Sequence, residues 1–154
     1  MDTHARILVV DDEESIRQVL ATILEEEGYV VDTAENGKKA IKKSNAKFYN
    51  LALIDIRLPD IEGTELLTAM KETTPKMVKI IVTGYPSLQN AVEAVNKGAD
   101  GYVLKPFKVE NVLNTIKEHL RKQQEAKKYS QEKVTEFIET RARELGTMVR
   151  KKTP

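Results

Sequence analysis

The chain has 154 residues, a formal net charge of +1, 40% hydrophobic residues and no cysteine. That length suits one domain with a sizeable core plus an appendage, and the lack of cysteine excludes both a disulfide framework and thiolate chemistry. No apolar run approaches the ~20 residues of a spanning helix, and the start, MDTHARILVV, reaches Asp11 too soon for a secretory signal, so the expectation is a soluble, cytoplasmic protein with no membrane partner.

The first apolar run, Ile7 to Val10, ends at Asp11-Asp12. Ile16, Val19, Leu20, Ile23 and Leu24 then recur at i, i+3, i+4, i+7 and i+8, which predicts an amphipathic helix over Ser15–Glu27 stopped by Gly28. A strand follows at Val30–Ala34. Asn36-Gly37 would suit a hairpin turn, but Lys38 to Lys43 lacks strand alternation, so a helix starting near Asn36-Gly37 is the better reading. The run Leu51–Ile54 ends at Asp55, and a helix over Thr64–Thr73 is closed by Pro75. Lys79–Val82 runs into Thr83. Ser87 then caps a helix with Leu88, Ala91, Val92 and Val95 on its apolar face and Gly98 at its stop. Gly101–Leu104 precedes Lys105-Pro106, and Val109, Val112, Leu113, Ile116 and Leu120 mark a last helix.

Five strands thus alternate with five helices. Runs apolar on both faces are buried parallel strands, and right-handed crossovers between them give an α/β fold: a doubly wound five-stranded parallel sheet in a flavodoxin-like three-layer sandwich. Beyond Leu120 neither glycine nor proline occurs until Gly146, so the last helix can run on through the polar RKQQEAKKYSQEK as a helical extension crossing solvent. Val134, Phe137, Ile138, Leu145 and Met148 then restore an apolar stripe, interrupted by Arg141. A heptad count from Leu113 puts Gln123, Lys127, Ser130 and Arg141 at core positions, which argues against a continuous coiled coil and leaves room for a short helical pairing. Residues 1–120 hold 15 basic against 19 acidic side chains, and 121–154 hold 10 against 5. With glutamates interspersed, the basic tail reads as a solvated helix face in preference to a nucleic-acid or anionic-lipid binder.

The strand ends carry the chemistry. Open α/β sheets place their sites outside the carboxyl ends of the strands, and here those ends gather Asp11, Asp12, Asp55, Thr83 and Lys105. A carboxylate held in line, its charge offset, is a competent nucleophile toward phosphorus, and Asp55 is the candidate. Clustered carboxylates repel unless a cation sits among them, and magnesium, which takes few carboxylates, several waters and phosphate oxygens, suits this set better than a calcium cage. Lys105 supplies a compact positive charge, and Thr83 one hydrogen bond to a phosphoryl oxygen. Taken singly, the acid pair could cap a helix, Thr83 favour a strand and Lys105-Pro106 form a surface turn. Their joint placement favours function.

These residues lie in VVDDE (Val9–Glu13), LIDIRLPDIEG (Leu53–Gly63), VTG (Val82–Gly84) and GADGYVLKPF (Gly98–Phe107). In order and spacing the chain resembles a response-regulator receiver domain, similar to single-domain chemotaxis regulators, over about residues 5–122. The resemblance implies a receiver domain over 1–122 and a helical extension over 123–154. It implies a phosphorylation-activated switch of a two-component system, in which Asp55 accepts a phosphoryl group from a sensor histidine kinase or phosphotransfer protein. It places Asp12 and Asp55 on Mg2+ directly, Asp11 nearby through water, and the Arg57 backbone carbonyl on the metal. It assigns switching to Thr83 and Tyr102, the hydroxyl swinging toward the phosphoryl oxygens and the ring turning inward behind it. It makes Lys105-Pro106 a cis peptide bond that aims the lysine. Gly84 stands where alanine is frequent and favours movement of the loop after Thr83. Arg57 and Tyr85 occupy positions that in the family tune hydrolysis of the acyl phosphate; both are bulky, so the expectation is restricted water access and a long-lived phosphorylated form.

A magnesium phosphatase with an aspartate nucleophile is the enzymatic alternative, but its general acid would stand where Arg57 stands. No Walker-type loop is present, and His4 and His119 read as solvent-exposed bystanders. No turnover is expected beyond self-phosphorylation from small donors and self-dephosphorylation. The 34 residues past position 120 cannot form a helix-turn-helix domain with its own core, so direct nucleic-acid contact is not expected of this chain. The output is a downstream protein target or a homodimer through the fourth and fifth helices or the C-terminal helix. The alternative is the receiver module of a longer protein with a DNA-binding output.

Overall fold

Runs of Val, Ile and Leu too short for a helix and apolar on both faces form the strands of one sheet. The computed structural model describes the backbone of residues 5–152 and the side chains of 5–146; His4 and the side chain of Met148 lie outside the described residues. In chain order the elements are β1 (Arg6–Val10), α1 (Glu14–Glu26), β2 (Val30–Ala34), α2 (Gly37–Ala46), β3 (Leu51–Ile54), α3 (Gly63–Ala69), β4 (Val78–Thr83), α4 (Leu88–Asn96), β5 (Gly101–Leu104) and α5 (Val109–Lys152). The five strands are all parallel, in the order β2-β1-β3-β4-β5, so the expected doubly wound sheet is the one observed.

Alternation along each strand divides the core. Ile7, Val9, Leu51, Leu53, Ile80 and Val82 face one side and pack with Leu20 and Leu24 of α1 and Val112, Ile116 and Leu120 of α5. Leu8, Val10, Ala52, Ile54 and Ile81 face the other and pack with Ala40 of α2, Leu66 and Leu67 of α3 and Ala94 of α4. Reversal of the strand order beside β1 leaves a crevice between the loops after β1 and β3, the topological switch point of such a sheet. The contacts divide the chain into two units, Met1–Leu120 and Arg121–Pro154. In the second, the side chains of Tyr129, Val134, Phe137, Ile138 and Leu145 are exposed. No described helix is long and apolar enough to cross a membrane.

Two helices depart from the sequence reading. The helix expected to reach Thr73 ends at Ala69, because Met70 turns extended and buries its side chain. Thr73 and Thr74 precede Pro75, which disfavours helix. The Thr73 hydroxyl instead donates to the Pro75 carbonyl at 2.8 Å and accepts the Met77 amide at 3.2 Å, holding a turn. The ammonium of Lys79, buried on β4, donates to the Leu67 carbonyl at 2.6 Å and satisfies an acceptor of the last turn of α3. In α4, Ser87 caps as expected, accepting the Asn90 amide, and Gly98 stops the helix with φ near 100°. The apolar stripe, however, faces out: Leu88 is 83% and Val95 68% exposed, and only Ala94 is buried. His119, expected at the surface, is half-buried, and a Cβ added at Gly101 would come within 3.3 Å of its Nε2.

Leu53 lies on a central strand and is 2% exposed. Leu53→Ala should cost about 2–5 kcal/mol through lost burial and a residual cavity, seen as a lower urea midpoint with the slope unchanged.

Candidate functional site

The buried sheet ends where its strands hand over to polar loops. Asp11 follows β1 and Asp55 follows β3; both are buried, whereas Asp12 is exposed. Lys105 follows β5, and its ammonium donates to Asp11 Oδ2 at 2.6 Å and approaches Asp55 Oδ2 at 3.3 Å. One cation thus bridges two carboxylates whose strands are not neighbours of its own. Lys105-Pro106 is cis.

Burial, and after it the charge of Asp11, raises the Asp55 carboxyl above its ordinary range, although Lys105 and the Arg57 amide pull the other way. Burial works to lower the Lys105 ammonium, but the bond from Asp11 and the charges of Asp11 and Asp55 overcome it, so its net shift is upward. The acids therefore hold more negative charge than the lysine balances. Asp11, Asp12 and Asp55 each offer an oxygen, all within 4.8 Å of one another. Hard oxygen donors with surplus negative charge at this spacing could hold a divalent cation such as Mg2+.

Thr83 and Tyr102 share one sheet face: Thr83 pairs with Leu104 and Ile81 with Tyr102, two residues back on each strand. Thr83 is fully buried, and its hydroxyl accepts the Tyr85 amide at 3.0 Å, leaving its own proton free to be donated. The Tyr102 ring packs against the core under α2, α3 and α4 with its hydroxyl enclosed. Among the described residues, that hydroxyl is the one buried side-chain polar atom without a hydrogen-bond partner. A Cβ added at Gly84 would make only ordinary contact, 3.7 Å from Lys105 Cβ.

Arg57 lies two residues beyond Asp55, and its amide approaches Asp55 Oδ1 at 3.3 Å. Its guanidinium stacks 3.9 Å from the centroid of the Tyr85 ring, joining the loop after β3 to the loop after β4. Sequence reasoning named both residues but not their contact. It missed Arg17, whose guanidinium donates to the Asp11 carbonyl at 2.7 Å from α1. It also missed Thr64, whose hydroxyl donates to Glu93 across α3 and α4 at 3.2 Å. Neither contact has a signal in spacing, since each partner comes from a different element.

A family model described as the response regulator receiver domain matches residues 7–117. The chain belongs to the response regulator receiver domain family. The receiver is 37% identical over 115 residues to the uncharacterized transcriptional regulatory protein YkoG of Bacillus subtilis (strain 168), covering 75% of this chain and 50% of YkoG. To the transcriptional regulatory protein ResD of the same organism it is 37% identical over 119 residues, 77% of this chain and 49% of ResD. The chain spans about half the length of these curated relatives. Among solved structures, a CheY-like receiver domain protein from Methanospirillum hungatei JF-1 is 46% identical with a TM-score of 0.77, covering 80% of this chain and 98% of that one. The beryllofluoride-activated NtrC4 receiver domain dimer is 44% identical with a TM-score of 0.72, covering 77% of this chain and 98% of that one. Receivers of this family serve two-component signalling as phosphorylation switches, with an acidic pocket like that of Asp11, Asp12 and Asp55.

Because burial raises Asp55 in the folded state, its ionised form opposes folding. The stability linked to this group is complete below the unfolded carboxylate range and is lost as pH rises through the raised folded value. In metal-free buffer at neutral pH, Asp55→Asn should therefore melt higher than the wild type. The gap should close in acid below the carboxylate range, as thermal melts over a pH series would record.

Proposed function

We propose that this receiver is a phosphorylation-activated switch that accepts a phosphoryl group on Asp55 from the phosphohistidine of a sensor histidine kinase or phosphotransfer protein. The observation that carries the reading is the Lys105 ammonium between two buried carboxylates, one of them at a strand end with its charge only partly balanced. An Asp55 oxygen attacks phosphorus, the P–N bond breaks, and the imidazole leaves with its electron pair. Asp12, Asp55 and the Arg57 carbonyl would hold Mg2+ directly and Asp11 through water, and the ion would supply charge to the transferring oxygens. Lys105 then has a phosphoryl oxygen to turn to in place of Asp11, and Thr83 donates its free proton to another.

The enclosed Tyr102 hydroxyl supports a switch on the same face. An unpaired buried hydroxyl costs roughly 1–3 kcal/mol, so a ring-out state that returns it to water lies close in energy. Movement of Thr83, one pleat away, biases that balance. Residues 1–122 act as the receiver and 123–154 as a helical extension, and the setting is the cytoplasm, where sensor kinases present their phosphohistidine. A downstream protein target or a second copy reads the state through α4, whose Leu88, Val92 and Val95 are exposed, or through the extended α5; a receiver dimer is seen in the NtrC4 structure. A receiver within a longer transcriptional regulator is the second reading, favoured by the half-length match to YkoG and ResD. Turnover of a separate substrate is not part of the proposal, since Arg57 sits where a phosphatase's general acid would stand and turns its guanidinium to Tyr85.

Intact mass after incubation with Mg2+ and acetyl phosphate tests the proposal. One added phosphoryl group is expected, absent without Mg2+ and absent in Asp55→Asn. An unmodified wild type that is folded and binds Mg2+ would make the protein an unphosphorylated binding module. The Arg57–Tyr85 stack should slow entry of water to the acyl phosphate. A cation–π pair of about 0.5–1 kcal/mol predicts roughly two- to five-fold faster loss of label from an Arg57→Ala, Tyr85→Ala double variant, and slower loss would overturn that role.

A further inference from the structure

The loop between β3 and α3 carries Asp55, Arg57 and Asp60, and the way it is held suggests a role for Asp60. Its ends meet at the site: the Gly63 amide donates to the Ile56 carbonyl at 2.6 Å, and Arg57 and Glu62 form an antiparallel bridge. Gly63 is required there, since a Cβ would lie 2.2 Å from the Asp55 carbonyl oxygen. Between these anchors Arg57, Pro59, Asp60 and Glu62 are exposed and only Leu58 and Ile61 are partly covered. A segment with so little buried surface depends on polar pins for its conformation.

Asp60 supplies the pin at the tip. Its Oδ1 accepts the Gly37 amide and its Oδ2 the Lys38 amide, each at 2.9 Å, so both carboxylate oxygens sit on the first turn of α2. That turn has no acidic residue of its own. Asn36 takes only the Lys39 amide with its side chain and the Ala40 amide with its carbonyl. The helix thus borrows its remaining cap, and a negative charge suited to its positive end, from the site loop. Close approach is built in at Gly37, where a Cβ would come within 2.0 Å of Ile61 Cγ2.

We infer that Asp60 is a positioning residue for phosphorylation: by clamping the tip of the loop to α2, it holds the Arg57 backbone and side chain beside Asp55. The inference rests on the proposed role of Asp55. The Arg57 peptide adjoins the acid cluster through its amide, and its guanidinium spans to Tyr85. Freeing the tip lets both wander while the strand-end acids and Lys105 stay where the sheet puts them.

The test compares wild type, Asp60→Asn and Asp60→Ala by magnesium-dependent self-phosphorylation from acetyl phosphate, calorimetric Mg2+ affinity and residue-resolved hydrogen exchange. Asp60→Ala should phosphorylate more slowly by between roughly two-fold and thirty-fold, the span of a lost capping interaction. It should bind Mg2+ more weakly, and exchange should quicken both at Gly37 and Lys38 and at Arg57 and Leu58. Asp60→Asn keeps one acceptor oxygen and should fall between the two, which separates positioning from failure to fold. Faster exchange confined to Gly37 and Lys38, with wild-type phosphorylation and Mg2+ affinity, would reduce Asp60 to a helix cap and overturn the inference. A wild type that takes up no phosphoryl group would instead overturn the reading of Asp55 on which it rests.

Discussion

One ammonium among buried carboxylates organises the molecule. Lys105 reaches from the end of an edge strand across the sheet to Asp11 and Asp55, which end strands nearer the centre. The Asp55 carboxylate is held against its own desolvation chiefly by Lys105, with help from the Arg57 amide, and only in part. Added positive charge would therefore stabilise the site, which is why the proposed phosphoryl transfer calls for a cation beside it. The hydrophobic core on both faces of the sheet makes this arrangement rigid, because β3 is buried throughout and β1 from Ile7 to Val10.

The loops around this cluster are tied to elements behind them. Arg17 of α1 holds the Asp11 carbonyl, Asp60 seats the β3–α3 loop on α2, and Thr64 joins the start of α3 to Glu93 of α4. Each tie is a polar contact between neighbouring helices or loops, so a change at Asp55 has short routes outward. The route to α4 ends on the helix whose apolar side chains face solvent. Thr83 and Tyr102 lie along one face of β4 and β5, where the proposed switch would give a second route. The Tyr102 hydroxyl is enclosed and unpaired, an unsatisfied group that the proposed switch would relieve.

Much of the architecture was legible because burial on both sides of a parallel sheet leaves continuous apolar runs, as in Leu51–Ile54, and because Asn36, Ser87, Gly28 and Gly98 mark helix ends by local chemistry. The gathering of Asp11, Asp12, Asp55 and Lys105 followed from topology once those runs were parallel strands. Periodicity misled where the covering partner is not local. It correctly gave α4 an apolar stripe but could not say that the stripe faces away from the sheet, and it carried α3 past Met70 into a turn that Thr73 holds with its side chain. Asp60 was invisible for the same reason: its acceptor role exists only when a glycine more than twenty residues earlier is brought against it. Contacts between elements, unlike caps and strand ends, leave no pattern in a single sequence.

The most direct measurement of the central claim is a crystal structure of the protein with magnesium and beryllofluoride. The expected result is a beryllofluoride on an Asp55 oxygen, a metal ion held by Asp12, Asp55 and the Arg57 carbonyl, and the Lys105 ammonium turned from Asp11 toward the fluorides. An Asp55 left bare, with Lys105 still between it and Asp11 and the metal bound elsewhere, would contradict it.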